Sequence, residues 1–287
     1  MALCSLIALS GCSALRIGYA TAPDIVYWWL DRYVDLDDAQ TPPVRAAIKQ
    51  WFGWNRRTQL ADYGALLARA QSEVLADTTP ARVCEWQGEV LKRAHVAFDQ
   101  IAPSVADLML TITPQQVRHI EQRYAKVNTE FREDFLQADA ARRAEVTRKR
   151  VIDRAEMLYG KLDDAQRERI DEGLKRSPFD ADLWFAERRF RQQDLLQGLR
   201  KLQTTEGGAS REQAQALLRG YVERLERSPR DNYRRYYERL TEFNCAFAAG
   251  LHNATSAAQR KTAAGRLAGW QGDLRAIAAA AEPVTAP

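Results

Sequence analysis

The chain places apolar residues at steps of three and four over most of its length. One stripe runs through Val117, Ile120, Tyr124, Val127, Phe131 and Phe135, and another through Tyr233, Tyr236, Leu240, Phe243, Phe247 and Leu251. This spacing draws one apolar face along an α-helix, whereas long alternating patterns of the strand type are absent. The sequence therefore predicts an all-α protein, an elongated multi-helix bundle of long amphipathic helices.

Prolines and glycines divide this pattern into separate helices. Thr79 before Pro80 is typical of a helix start, and we expect Pro103 to kink or end the helix that begins there. The pattern predicts helices over about 23–34, 42–76, 80–110, 114–138, 140–160, 164–175, 178–203, 211–227, 230–252 and 256–281, with fusions reducing them to eight or nine. No linker is long enough to force two domains, so we predict one helical domain over residues 12–287.

A short polar pattern recurs at five of the predicted helix starts. In each, an Asp, Ser or Thr stands three residues before a Gln: Leu36–Gln40, Ile112–Gln116, Leu162–Gln166, Ala209–Gln213 and Thr255–Gln259. This is the spacing of a capping box, in which the first side chain accepts from the N3 backbone N–H and the glutamine reaches back to the cap N–H. Each such cap contributes about 1 kcal/mol to helix stability.

The first eleven residues, MALCSLIALSG, carry no charge and are too few to cross a bilayer, which requires about 20 apolar residues. They end at Leu9-Ser10-Gly11-Cys12, which resembles the lipobox of bacterial lipoproteins. The resemblance implies a signal peptide over residues 1–11 and a diacylglyceryl thioether on Cys12. No basic residue precedes Cys12, so we expect the natural start to lie further upstream. A buried amino-terminal segment with an ordinary cysteine is the alternative.

The same resemblance gives a location. Ser13, and not Asp, follows the cysteine, and the sorting rule of bacterial lipoproteins then implies the periplasmic face of the outer membrane. Removing Cys4 with the signal and acylating Cys12 would leave Cys84 and Cys245, an even number in an oxidising compartment. The two cysteines either form a disulfide or remain separate buried thiols.

Two further resemblances concern the body of the chain. The capping segments resemble the LTxxQ motif of the periplasmic Spy/CpxP chaperones, which implies client binding on a concave basic surface, although Leu-Thr occurs in none of the five. The whole chain resembles an uncharacterised group of Gram-negative lipoproteins in which the lipobox is followed by a Tyr, a Tyr-Trp-Trp-Leu segment and Leu-Asp-x-x-Gln. Here these are Tyr19, Tyr27–Leu30 and Leu36–Gln40. This resemblance implies a fold class and a location, but no catalytic activity.

An aromatic cluster lies close to the expected anchor. Tyr27, Trp28 and Trp29 favour interfaces as residue types, so they could form a membrane-facing or partner-facing patch. Docking into the helical core beside Trp51 and Trp54 is the alternative, and the sequence alone favours it.

The charged and metal-ligating residues form no recognisable catalytic or metal motif. Asp31, Asp35, Asp37 and Asp38 lack EF-hand spacing, and His95, His119 and His252 lack zinc-site spacing. Between Arg230 and Arg239, arginine alternates with tyrosine, and helical spacing predicts a solvated face with Tyr233 and Tyr236 on its apolar side. Nucleotide-binding and hydrolase motifs are absent from the sequence, and its net charge of +4 does not indicate nucleic acid.

These observations predict a non-enzymatic, lipid-anchored periplasmic protein without a metal or cofactor. Its expected partners are the membrane, through the anchor, and a protein client or an envelope component, but not nucleic acid. A chaperone-like role or a role in envelope maintenance follows from this. The alternatives are an envelope enzyme acting on peptidoglycan or lipid, with carboxylates brought together by the fold, and a structural tether.

Overall fold

The structure, a computed structural model, describes residues 14–280, which form eleven α-helices and no strand. The helices are α1 (Ala14–Val34), α2 (Thr41–Thr58), α3 (Leu60–Glu73), α4 (Pro80–Thr111), α5 (Pro114–Phe135), α6 (Ala140–Tyr159), α7 (Asp164–Arg176), α8 (Ala181–Gln203), α9 (Arg211–Glu226), α10 (Asp231–Asn253) and α11 (Ala257–Ala279). The all-α helical bundle predicted from the sequence is confirmed for these residues.

Two predictions are wrong, the start of α1 and the continuity of the helix over 42–76. Helix α1 continues through Pro23 and begins at Ala14. Helix α4 spans Pro80–Thr111, in agreement with the predicted range of about 80–110, and does not end at Pro103. Pro103 is exposed, so water can satisfy the carbonyl that loses its helical partner, and burial of Ala106 and Met109 further along α4 offsets the cost. The helix predicted over 42–76 is divided into α2 and α3 at Gln59.

Four of the five predicted capping boxes cap a helix, and the bonds of the fifth form in the turn before α2, whose N-cap is Gln40. The Thr113–Gln116, Asp163–Gln166, Ser210–Gln213 and Ser256–Gln259 pairs each satisfy both backbone N–H groups. At the fifth, Asp37 Oδ1 accepts from the Gln40 N–H at 2.8 Å, and Gln40 Oε1 accepts from the Asp37 N–H at 3.2 Å. Local sequence chemistry therefore sets these helix starts.

Four of the capping glutamines also bind one another in two reciprocal pairs. Gln40 Nε2 donates to Gln116 Oε1 at 3.2 Å, and Gln116 Nε2 donates back to Gln40 Oε1 at 2.6 Å. Gln166 and Gln259 make the same exchange at 2.7 and 2.8 Å. A glutamate could accept the capping bond but could not donate at neutral pH, so the pairing requires glutamine.

The side-chain amide of each paired glutamine also donates to a backbone carbonyl in the turn that holds its partner. This carbonyl always lies five residues before the partner glutamine. The distances are 2.8 to 3.0 Å, and the carbonyls belong to Thr111, Asp35, Ala254 and Lys161. The bonds of the two glutamine pairs form two equivalent junctions. The first glutamine junction joins the α1–α2 turn to the α4–α5 turn, and the second joins the α6–α7 turn to the α10–α11 turn.

A hydrophobic cluster adjoins each junction. The cluster beside the first junction draws on α1, α4, α5, α8 and α9, with Ala106, Val117 and Ala214 almost fully buried. The cluster beside the second draws on α6, α7 and α10, with Leu162 and Ile170 almost fully buried. The apolar residue that leads a capping segment, such as Leu162, thus enters a core, so the capping bonds and apolar packing support each other.

A disulfide links the two halves of the bundle. Cys84 in α4 and Cys245 in α10 are joined with a Cα–Cα distance of 5.6 Å across a sequence separation of 161 residues. Helix α4 ends at the first glutamine junction and α10 ends at the second. The bond therefore restrains the two junctions relative to each other.

The glutamine pairing generates a stability prediction. Replacing Gln116 by Glu keeps the capping acceptor but leaves Asp35 O without its side-chain donor and places a carboxylate against Gln40 Oε1, which keeps only the Asp37 N–H. We therefore expect unfolding to require about 2–3 kcal/mol less free energy at pH 7. Burial raises the pKa of the introduced carboxyl, and its neutral form can donate, so the loss should be smaller at pH 4. Urea unfolding at both pH values measures this.

The matched control is Gln213→Glu, because Gln213 forms the same capping box but is exposed and has no glutamine partner within residues 14–280. Its free energy of unfolding should change by no more than about 0.5 kcal/mol. Equal losses in the two variants would contradict a special role for the glutamine pair.

The disulfide generates a second prediction. The bond closes a loop of about 160 residues, so the Cys84→Ser/Cys245→Ser variant should lose about 4–5 kcal/mol of unfolding free energy in the chain-entropy model. Denaturant unfolding, with and without a thiol reductant, measures the loss. The reductant should shift the midpoint of the natural chain and leave that of the variant unchanged; an insensitive natural chain would contradict the bond.

Candidate functional site

Helix α1 is held to the bundle along one side by polar contacts from aromatic residues. Near its start, the Tyr19 hydroxyl lies 3.1 Å from Asn55 Oδ1 and 3.2 Å from the Phe52 carbonyl. Burial raises the pKa of the Tyr19 phenol, which keeps it protonated and able to donate. About two turns before the end of α1, Tyr27 is buried and its hydroxyl lies 3.2 Å from Thr41 Oγ1. These contacts fix the rotation of α1 about its axis.

The C-terminal end of α1 is fixed by its carboxylates. Asp31 Oδ1 accepts from the Leu36 N–H at 3.0 Å, and Asp35 takes a left-handed conformation, with φ 61°, that ends the helix. The Asp35 carbonyl is the one that receives the Gln116 amide. Asp37 accepts from the Gln40 N–H in the turn before α2, so three of the four clustered aspartates have structural roles. Within residues 14–280, no three His, Cys, Asp or Glu side chains are grouped to hold a metal.

The opposite side of α1 is exposed and almost free of charge. Ile17, Ile25, Trp28 and Trp29 are 55 to 61% exposed, and Leu15, Gly18, Thr21 and Val26 continue the same side of the helix. We call these eight residues the outer face. Asp24 lies at its edge, 3.3 Å from Arg45 of α2, and Arg32 follows it toward the end of the helix. The outer face is therefore a contiguous apolar surface that the rest of the described chain leaves uncovered.

The three aromatic residues singled out in the sequence divide between the two sides. Successive residues of a helix are rotated by about 100°, so Tyr27 cannot share a side with both of its neighbours. Tyr27 points into the bundle, and this corrects its expected role as an interface aromatic. Trp28 and Trp29 point outward, and this corrects the expectation that the whole segment docks beside Trp51 and Trp54.

The sequence interpretation missed the amino-terminal half of this surface. Leu15, Ile17 and Gly18 precede the helix predicted over about 23–34, whereas α1 begins at Ala14. The signal was present as an uncharged spacing of Ile17, Thr21, Ile25 and Trp28 by three and four residues. Cys12 lies outside the described residues, two positions before α1 begins.

The other candidate residues have structural partners. Tyr233 and Tyr236 are buried, as predicted, while Arg235 and Arg239 of the same segment are exposed. His252 is buried, with Nδ1 2.8 Å from the Tyr159 hydroxyl and Nε2 2.8 Å from the Ala76 carbonyl.

The other two histidines also have partners; His95 is exposed and His119 is half-buried. His95 faces Glu226, and His119 lies 3.1 Å from the Arg32 carbonyl.

None of the helices in residues 14–280 is long and apolar enough to span a membrane.

A model of a family of unknown function, DUF6279, matches residues 32–219 of the chain. Neither a curated protein nor a solved structure matches the chain. The matched region begins within the last turn of α1 and ends within α9.

Proposed function

The chain belongs to the DUF6279 family, and we propose that it is a lipid-anchored binding protein that lies on the periplasmic face of the outer membrane, with α1 in contact with the bilayer. One observation carries the proposal: an exposed, uncharged outer face begins at Leu15, three residues after Cys12, and continues to Trp29.

The distances favour a helix that lies along the membrane. Two residues span at most about 7 Å, so acyl chains on Cys12 would hold the start of α1 at the headgroup level. Trp28 is fourteen residues after Ala14, or about 21 Å along the helix axis. An upright α1 would hold Trp28 far from the bilayer, whereas a helix parallel to the surface brings Ile17, Ile25 and Trp28 to it together.

The composition of the outer face fits the interfacial region of a bilayer. Tryptophan favours the boundary between headgroups and acyl chains, and aliphatic side chains such as Ile17 and Ile25 insert just below it. The acyl chains on Cys12 would supply the anchor, and the outer face would set how the helix lies on the bilayer. The Cys84–Cys245 disulfide agrees with an oxidising compartment such as the periplasm.

A chaperone-like role is the most specific form of the proposed binding function, because the outer face could also bind an apolar segment of an unfolded client protein. The bilayer is the occupant we favour, because the lipobox cysteine immediately precedes the face. A role in envelope maintenance agrees with either occupant.

The envelope-enzyme alternative needs free carboxylates in a cleft. A groove between α6, α7 and the start of α8 is lined by Glu145, Asp171, Asp180 and Asp182. Asp171 is paired with Arg148 at 2.6 Å, and Asp180 accepts from the Leu183 N–H at the start of α8. These structural roles favour binding over hydrolysis.

The anchor generates a prediction for the mature protein. Mass spectrometry of the protein extracted from membranes should find Cys12 as the first residue, carrying a diacylglyceryl thioether and an acylated amino group. A Cys12→Ser variant should retain its upstream segment and carry no lipid. A natural chain with an unmodified Cys12 would contradict the anchor.

The outer face generates a second prediction, which does not require the lipid. For a chain that begins at Ser13, the Ile25→Ser/Trp28→Ser variant should bind phospholipid vesicles about tenfold more weakly than the parent, because two exposed apolar side chains no longer enter the bilayer. Vesicle flotation measures the bound fraction.

The matched control is Val90→Ser/Met157→Ser, which removes two apolar side chains of similar exposure, 57 and 60%, from α4 and α6. This variant should bind vesicles as the parent does. Equal weakening in both variants would show nonspecific adsorption and would argue against the outer face as the contact.

A further inference from the structure

A cavity of about 520 Å³ lies between α1, α5, α8, α9 and α10, which is within the size range of small-molecule sites. Its walls include six aromatic side chains: Trp29, Tyr33, Tyr124, Trp184, Tyr221 and Tyr233. Five separate helices contribute to the cavity, so no sequence motif reveals it.

The aromatic wall is ordered by ring contacts. The Trp29 and Tyr33 rings have centroids 4.8 Å apart, and Tyr33 continues to Tyr124 at 6.1 Å. Across the cavity, Trp184 and Tyr233 are 6.4 Å apart. Flat, fixed rings of this kind offer broad faces against which a ligand ring can pack with little loss of side-chain entropy.

Three phenol hydroxyls in this wall lack a hydrogen-bond partner in the part of the chain that the structure describes. They belong to Tyr33, Tyr124 and Tyr221. Burial raises the pKa of both Tyr124 and Tyr221, so the groups are neutral at physiological pH and can donate as well as accept. A ligand that fills the cavity must offer hydrogen-bonding groups to them, because unpaired buried hydroxyls are unfavourable.

The cavity also holds an unneutralised positive charge. Its one carboxylate, Glu187, is 1% exposed and is neutralised by Arg191 at 3.0 Å and Arg230 at 3.3 Å. Arg188 donates from Nε to Asn128 Oδ1 at 3.0 Å, and no carboxylate of residues 14–280 pairs with it. Its guanidinium is therefore oriented by a neutral amide and remains able to bind an acid.

We propose that this cavity binds a sugar ring that carries a carboxylate. The aromatic side chains pack against the ring, the sugar hydroxyls pair with the three phenols, and the carboxylate pairs with the Arg188 guanidinium. A neutral sugar leaves Arg188 without an anion, and a plain aromatic acid leaves the phenols without partners. The inference does not rest on the membrane proposal: Trp29 belongs to both the outer face and the cavity wall, but the three phenols and the Arg188 guanidinium lie outside the outer face.

Titration of the full chain with glucuronate, glucose and benzoate tests the proposal, with tryptophan fluorescence and calorimetry as readouts. Glucuronate should bind saturably, and glucose and benzoate should each bind at least about tenfold more weakly. Arg188→Gln, which can retain a bond to Asn128, should weaken glucuronate binding by about tenfold or more, and Tyr124→Phe should weaken it by about fivefold.

Arg189→Gln is the matched control, because Arg189 is the next residue of α8, is exposed and does not line the cavity. It should bind glucuronate as the natural chain does, and thermal unfolding should show that all three variants are folded. No saturable glucuronate binding, tighter binding of benzoate than of glucuronate, or unchanged binding in Arg188→Gln would each overturn the proposal.

Discussion

The reciprocal hydrogen bonds between Gln40 and Gln116 fix the part of the fold on which both proposed surfaces depend. Both side chains are buried, so each amide must satisfy its donors and acceptor within the protein. The amides do so by holding the ends of two helices, α1 through the Asp35 carbonyl and α4 through the Thr111 carbonyl. Partial formation of this junction would leave buried polar groups unpaired, so it favours one arrangement of α1 over nearby alternatives.

The rest of the bundle extends this constraint. The hydrogen bonds of the Tyr19 hydroxyl hold the start of α1 against α2. Helix α1 is thus restrained at both ends, and its outer face remains exposed. The second glutamine junction repeats the arrangement in the other half, and the Cys84–Cys245 bond connects the two halves through α4 and α10. The cavity takes its walls from α1 on one side and α8 to α10 on the other, so its shape follows from the same restraints.

Local features were predictable from the sequence, and tertiary pairings were not. The capping boxes depend on residues three positions apart, so the spacing of Asp163 and Gln166 was enough to locate a helix start. The same spacing does not reveal which glutamines meet, because Gln213 has the box and no partner glutamine in the described chain. The outer face was half missed because packing at Tyr19 and Tyr27 holds the helix on both sides of Pro23. No sequence motif identifies Arg188 and Tyr124 as site residues, because they line the same cavity only through the packing of α5 against α8.

Spin labels on the lipidated protein in membranes test most directly whether α1 lies on the bilayer. The expected chemistry leaves no free thiol, with Cys12 acylated and Cys84 bonded to Cys245, so one introduced cysteine can be labelled selectively. A label at Ile25→Cys should be more accessible to oxygen than to a water-soluble nickel complex, and a label at Val90→Cys on α4 should show the reverse. Preferential access of the nickel complex at both positions would contradict contact between the outer face and the membrane.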